Sequence, residues 1–135
     1  MAGKHAMEAL QLYHKGFNCA QAVVLPFCEE LGLDKDTMVK AIEGLGGGMS
    51  NHKSVCGALS GSIFVAGLKS SQSNMAQGAV SKSGTYKLCS ELIEEFKSVC
   101  GSDICPIIKG AGKGKPLATC DKCILTGIEL AEKVR

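Results

Sequence analysis

Residues 55–68 read VCGALSGSIFVAGL, an apolar run rich in small residues. Gly57 and Gly61 lie four residues apart, which places both on one face of a helix, with other small residues beside them. A helix face without large side chains lets a neighbouring backbone come close. We therefore expect a central helix from about Val55 to Leu68, capped by Ser54 and preceded by the glycine-rich loop 44–51.

Helical patterns occupy most of the remaining chain. Apolar spacing, capping residues and breakers predict further helices ending near Lys15, between Asn18 and Gly32, between Asp34 and Gly44, ending at Val99, over Pro106–Ile108, and over Thr119–Val134. No stretch of useful length alternates apolar and polar residues as a strand would. The sequence predicts an all-α fold, a compact bundle of about five to six helices in one domain, 1–135.

Composition and charge exclude several classes of function. The formal net charge is +2 and aromatic residues make up 4% of the chain, so there is no basic stripe or stacking platform for nucleic acid. The run 55–68 is too short to span a bilayer. Residues 1–15 lack the uninterrupted apolar core of a secretory signal. We expect a cytoplasmic protein that has no membrane span and binds no nucleic acid.

Eight of the 135 residues are cysteines, an unusual number for a compartment that keeps thiols reduced. In such a compartment cysteines are more often redox groups or metal ligands than structural disulfides. Four structural disulfides would become the leading interpretation only in an oxidising compartment. The cysteines are therefore the main candidates for function.

Four of the cysteines fall at predicted helix starts, next to or near a capping residue or a proline: Cys19 after Asn18, Cys56 after Ser54, Cys105 before Pro106 and Cys123 after Asp121. The start of a helix offers unpaired N–H groups and the positive end of the helix dipole, which favour a thiolate over a thiol. A thiolate is both the redox nucleophile and the form that binds a metal. These four are the candidate site residues.

The other four cysteines differ in their surroundings. Cys28 and Cys89 fall inside predicted helices next to apolar residues, where a free cysteine usually acts as a small buried hydrophobe. Cys100 lies at a predicted helix end, and Cys120 forms a Cys-x-x-Cys pair with Cys123. Such a pair places two sulfurs on one helix face, where they suit a disulfide or two bonds to one metal. The roles of Cys100 and Cys120 stay open.

The sequence also resembles a known family, named C_GCAxxG_C_C after its cysteine pattern and labelled redox-active on account of its cysteines. The segments that carry the resemblance span nearly the whole chain: FNCAQA at 17–22, GGGM at 46–49, CGALSG at 56–61, Cys105 and Cys123. The family name writes glycine before cysteine in the central motif, whereas this chain has Cys56 before Gly57. The resemblance implies Cys19, Cys56, Cys105 and Cys123 as the functional set.

Three kinds of chemistry fit those four cysteines. In the first, pairs of them carry out thiol/disulfide chemistry without a cofactor. In the second, all four bind a [2Fe-2S] cluster and transfer electrons. In the third, they hold a structural zinc ion. The protein would act as an oxidoreductase or electron-transfer protein in the first two cases, with a redox partner protein still to be identified. Association into a homodimer also stays open.

The remaining motifs carry less weight. The loop 44–51 is rich in glycine, but it does not read G-x-G-x-x-G, it is not a phosphate loop and no strand precedes it. The glycine and lysine residues of 110–116 predict a solvated loop. His52 lies four residues before Cys56 and is either a ligand or proton donor to the site or an exposed loop histidine.

Overall fold

The computed structural model describes residues 3–110 and 114–134, so residues 111–113 of the predicted loop 110–116 lie outside the described part. The fold is all-α, as predicted. The helices are α1 Lys4–His14, α2 Cys19–Val24, α3 Cys28–Leu31, α4 Lys35–Ala41, α5 Gly57–Ser70, α6 Lys82–Cys100, α7 Cys105–Ile108 and α8 Cys120–Lys133. The 3₁₀ turn Leu25–Phe27 joins α2 and α3 into one run. The described residues thus form seven helical segments, and the predicted count of five to six was wrong.

Local capping chemistry explains several helix boundaries. The Asn18 side chain accepts a hydrogen bond from the Gln21 amide at 2.9 Å, and the Gln21 side chain accepts one from the Asn18 amide at 2.9 Å. This reciprocal capping box starts α2. Asp34 starts α4 by accepting from the Thr37 amide at 2.9 Å. Pro26 lies in the 3₁₀ turn, where the helix would otherwise continue.

The start of the central helix differs from the sequence prediction. Ser54 does not cap α5, which begins at Gly57 with Cys56 as its N-cap residue. The cause is a long-range pairing: the Cys105 amide donates to the Ser54 carbonyl and the Cys56 amide to the Asp103 carbonyl, each at 2.8 Å. Residues 54–56 therefore run extended against 103–105. This isolated antiparallel bridge moves the helix start to the residues that follow it.

Helix α5 packs against α2 on one side and α8 on the other. A Cβ atom added at Gly61 would lie 3.0 Å from the Ala20 carbonyl oxygen of α2, and one added at Gly127 would lie 2.7 Å from the Ala58 carbonyl oxygen of α5. The buried Ser62 hydroxyl donates to the Gly127 carbonyl at 2.8 Å. The small-residue face of α5 thus allows the close backbone approach that the sequence predicts.

The core surrounds these contacts. Its largest fully buried side chains include Phe27, Leu59, Phe96, Ile124 and Ile128. Cys28 and Cys89 are also buried, as predicted. No helix in residues 3–110 and 114–134 combines the length and the apolar character needed to cross a bilayer.

We expect Gly127→Ala to lower the free energy of unfolding by about 1–3 kcal/mol, because the added methyl group meets a backbone carbonyl that cannot move independently of its helix. Gly67→Ala is the matched control on α5, since an added Cβ there meets nothing within 4 Å. It should instead raise stability by about 0.5–1 kcal/mol through helix propensity. Urea unfolding of both variants measures the difference. Equal effects would contradict the close contact between α5 and α8.

Candidate functional site

One cavity of about 180 Å³ lies where several helices begin. Five cysteines line it: Cys19, Cys56, Cys105, Cys120 and Cys123. The structure therefore brings all four predicted site residues to one place and adds Cys120 to them. Each residue's role in function stays a prediction.

Cys19 is the first residue of α2 and is only partly buried. Its sulfur accepts hydrogen bonds from the amides of Gly47 and Ala20, which lower the pKa, but burial raises it more, so the net shift is upward. A Cβ atom at Gly57 would lie 2.5 Å from the Cys19 sulfur. The glycine after Cys56 therefore lets the starts of α2 and α5 meet.

Cys56 has the surroundings that best stabilise a thiolate. Its sulfur interacts with the Cys123 thiol and accepts from the amides of Ala58 and Leu59 in the first turn of α5, and the charge of Lys109 lies nearby. The contact with Cys123 is the largest cause, and together these effects outweigh burial and lower the pKa of Cys56 to about 7. Cys56 thus ionises near neutral pH, as expected for an N-cap thiol.

Cys123 lies deeper than its predicted place at a helix start. Thr119 caps α8 by accepting from the Lys122 amide at 3.1 Å, so Cys120 is the first residue of the helix and Cys123 is one turn inside it. The pKa of Cys123 is raised, first by its interaction with Cys56, then by burial. Its thiol also interacts with that of Cys100 at the end of α6. Cys56 and Cys123 therefore form an asymmetric pair in which Cys123 keeps its proton.

Cys105 is the first residue of α7 and is buried. The bridge between 54–56 and 103–105 places it beside Cys56. Burial is the main cause that raises its pKa, while Lys109 lowers it. Cys105 thus stands in the site as a protonated thiol at neutral pH.

Cys120 is the site member to which sequence reasoning gave least weight. It is partly buried and interacts with the hydroxyl of Tyr13 from α1. That hydrogen bond is the largest cause that raises the pKa of Tyr13, so the tyrosine hydroxyl keeps its proton and donates a hydrogen bond to the sulfur. The available signal was Thr119: if it is taken as the cap in place of Asp121, Cys120 becomes the first residue of the helix.

His52 also lines the cavity, although its side chain is exposed. It belongs to the turn Gly48–His52, where Met49, Ser50 and His52 have φ of 64°, 73° and 61°. Non-glycine residues rarely adopt this left-handed conformation. His52 is placed at the rim of the site.

The thiols are separate groups in this structure. All eight cysteines are free, and no pair lies at disulfide distance. Over residues 3–110 and 114–134, no group of three or more His, Cys, Asp or Glu side chains is arranged to hold a metal ion.

Comparison with known proteins identifies the family of the chain. A family model described as "Putative redox-active protein (C_GCAxxG_C_C)" matches residues 17–134. The chain belongs to this family. The family description supports a redox-active protein with several cysteines and goes no further. Neither the curated proteins nor the solved structures contain a match.

We expect the alkylation rate of Cys56 by iodoacetamide to rise with pH around a midpoint of about 7, because the thiolate is the reactive form. An ordinary cysteine has its midpoint at about 8.5. Peptide mapping by mass spectrometry resolves each cysteine. Cys89, whose pKa is raised by burial, is the internal comparison and should react only at higher pH.

The control for this pH dependence is the neighbouring thiol. Cys123→Ala removes the first cause of the lowered pKa, so the Cys56 midpoint should move upward, whereas Cys123→Ser keeps a hydroxyl donor and should move it less. A wild-type midpoint near 8.5, or the same midpoint in all three proteins, would contradict the proposed pair.

Proposed function

We propose that the chain is a dithiol–disulfide redox protein in which Cys56 is the nucleophile and Cys123 is the resolving thiol. The observation that carries the proposal is the contact between these two thiols with opposite pKa shifts. A redox dithiol needs one sulfur ionised at working pH and a second, protonated sulfur close by. The pKa of Cys56 is lowered, whereas those of Cys19, Cys105 and Cys123 are raised.

The chemistry proceeds in two exchanges with a substrate disulfide. The Cys56 thiolate attacks one substrate sulfur, a mixed disulfide forms, and the other substrate sulfur leaves as a thiolate. Cys123 then loses its proton and attacks the Cys56 sulfur, which releases the second substrate thiolate and leaves a Cys56–Cys123 disulfide. The substrate gains two electrons and the protein loses two.

The amides at the start of α5 assist both directions of this reaction. Ala58 and Leu59 donate to the Cys56 sulfur, and they stabilise its charge when it attacks and also when it leaves. When a reductant opens the protein disulfide at Cys123, Cys56 is therefore the better leaving group. These fixed donors explain why the thiolate character falls on Cys56 and not on Cys123.

A second candidate function is the binding of a [2Fe-2S] cluster, and the observation that favours it is the gathering of five thiols around one cavity. Thiolates are the donors that iron–sulfur clusters and zinc prefer. Cys19, Cys56, Cys105 and Cys123 would hold the group, and a cluster would supply one-electron transfer. Structural zinc would use the same residues without electron chemistry.

Purification without oxygen separates these candidates. We expect colourless protein with eight free thiols and, after equilibration with oxidised glutathione, two fewer thiols and a Cys56–Cys123 disulfide in the peptide map. Cys56→Ser should abolish the disulfide. The matched control Cys28→Ser, at a buried position outside the cavity, should leave it intact.

Metal analysis of the same sample gives the opposing outcomes. Stoichiometric iron and acid-labile sulfide with visible absorbance would replace the proposal with a cluster. One zinc per chain, with unfolding on chelation, would replace it with a structural metal site.

A further inference from the structure

The proposed dithiol is shielded from solvent. Cys56 is 7% exposed and Cys123 is 3% exposed, so a thiol from solution reaches neither sulfur easily. Of the eight cysteines, only Cys19 and Cys120 are more than marginally accessible. Cys19 and Cys120 are therefore the thiols that a molecule of the size of glutathione meets more readily than either member of the buried pair.

Cys120 is better placed than Cys19 for this passage. Cys120 and Cys123 are three residues apart in the first turn of α8, so both sulfurs lie on one helix face, in the Cys-x-x-Cys spacing of redox dithiols. Cys19 lies on a different helix, at the start of α2, and does not share this spacing with Cys123. Its position against Gly57 also leaves it little room to move.

Tyr13 gives the Cys120 sulfur a partner that is not part of its own helix. The hydroxyl comes from α1, lies in the cavity wall and donates to the sulfur. A donor at this position stabilises the thiolate that an exchange step requires. Helix α1, which carries Tyr13, also packs against α8, which carries Cys120, so this hydrogen bond joins two helices that are already in contact.

We infer that Cys120 is a relay thiol, which takes over the disulfide from the buried Cys56–Cys123 pair and passes it to a small thiol from solution, with Tyr13 as its positioning residue. This inference rests on the proposed function of the Cys56–Cys123 pair. It assigns a role to a cysteine that the family's four-cysteine pattern does not include.

The relay consists of balanced exchanges. The Cys120 thiol loses its proton to solvent and its sulfur attacks Cys123, so the Cys120–Cys123 bond forms and Cys56 leaves as a thiolate. A first molecule of the external thiol attacks Cys120 and frees Cys123 as a thiolate. A second molecule attacks the mixed disulfide on Cys120 and releases the external disulfide. Two external thiols are oxidised and one protein disulfide is reduced.

The test follows the reduction of the oxidised full-length chain by glutathione at pH 7, with acid quenching, alkylation and peptide mapping. Cys120→Ser is expected to slow the loss of the Cys56–Cys123 disulfide by about tenfold or more, since the external thiol must then reach a buried sulfur. Cys28→Ser, which lies outside the cavity, should keep the wild-type rate. With limiting glutathione, the mixed disulfide of the wild type should map to Cys120.

The outcomes separate the relay from the dithiol itself. If the Cys56–Cys123 disulfide forms but Cys120→Ser is reduced at the wild-type rate, or if the glutathione adduct maps to Cys19, the relay is wrong and the dithiol stands. If no Cys56–Cys123 disulfide forms in the wild type, both are wrong. Tyr13→Phe should lower the share of the glutathione adduct that maps to Cys120, and an unchanged distribution of the adduct among the cysteines would remove the tyrosine from the relay.

Discussion

Helix α5 lies so close to α2 and α8 that no side chain fits between them at two points. At Gly61 the opposing atom is the Ala20 carbonyl oxygen, and at Gly127 it is the Ala58 carbonyl oxygen. Because side chains do not separate these helices, their N-terminal ends can meet around one small cavity. The glycines therefore contribute to function indirectly: they set how closely the thiols carried on three different helices approach one another.

Meeting at helix starts does not make the thiols equivalent. Cys56 caps α5, where its sulfur accepts amide hydrogen bonds, and Cys123 lies one turn inside α8, where the amides are committed to the helix. One sulfur is thus stabilised as a thiolate while its neighbour holds the proton. This difference of one helical turn produces the asymmetry that thiol exchange needs, whereas equivalent ligands around a metal would not require it.

Much of the fold follows from local chemistry that the sequence displays. Asn18 and Asp34 cap the helices predicted for them, and the small residues of 55–68 mark the central helix. The start of that helix could not be predicted, because it depends on the pairing of 54–56 with 103–105, about fifty residues away in the chain. Local sequence made Ser54 a plausible cap, but its carbonyl is used by Cys105 instead.

The candidate site likewise combines features that local sequence predicts with features that depend on long-range contacts. The places of Cys19 and Cys105 follow from Asn18 and Pro106 next to them, whereas Cys56 was predicted from Ser54, which does not cap α5. The differences in pKa among the three thiols depend on tertiary contacts that no local pattern contains. Whether Cys120 belongs to the first turn of α8 depended on which residue caps that helix. Thr119 as the cap makes Cys120 the first residue of the helix, whereas Asp121 as the cap would place Cys120 before it. Helix boundaries shift by one or two residues easily, and here such a shift decides which sulfur faces solution.

The turn Gly48–His52 adds a constraint that the helices do not provide. Its three non-glycine residues at positive φ cost about 1–3 kcal/mol each in backbone strain. They are held by the Ser50 hydroxyl, which donates to the Gly44 carbonyl at 2.8 Å, and by the Ser54 amide, which donates to the Gly48 carbonyl at 3.1 Å. The neighbouring Gly47 amide is thereby aimed at the Cys19 sulfur. The strained turn therefore directly follows the residue that donates to a thiol, and the glycine-rich loop contributes Gly47 and His52 to the cavity wall instead of only connecting two helices.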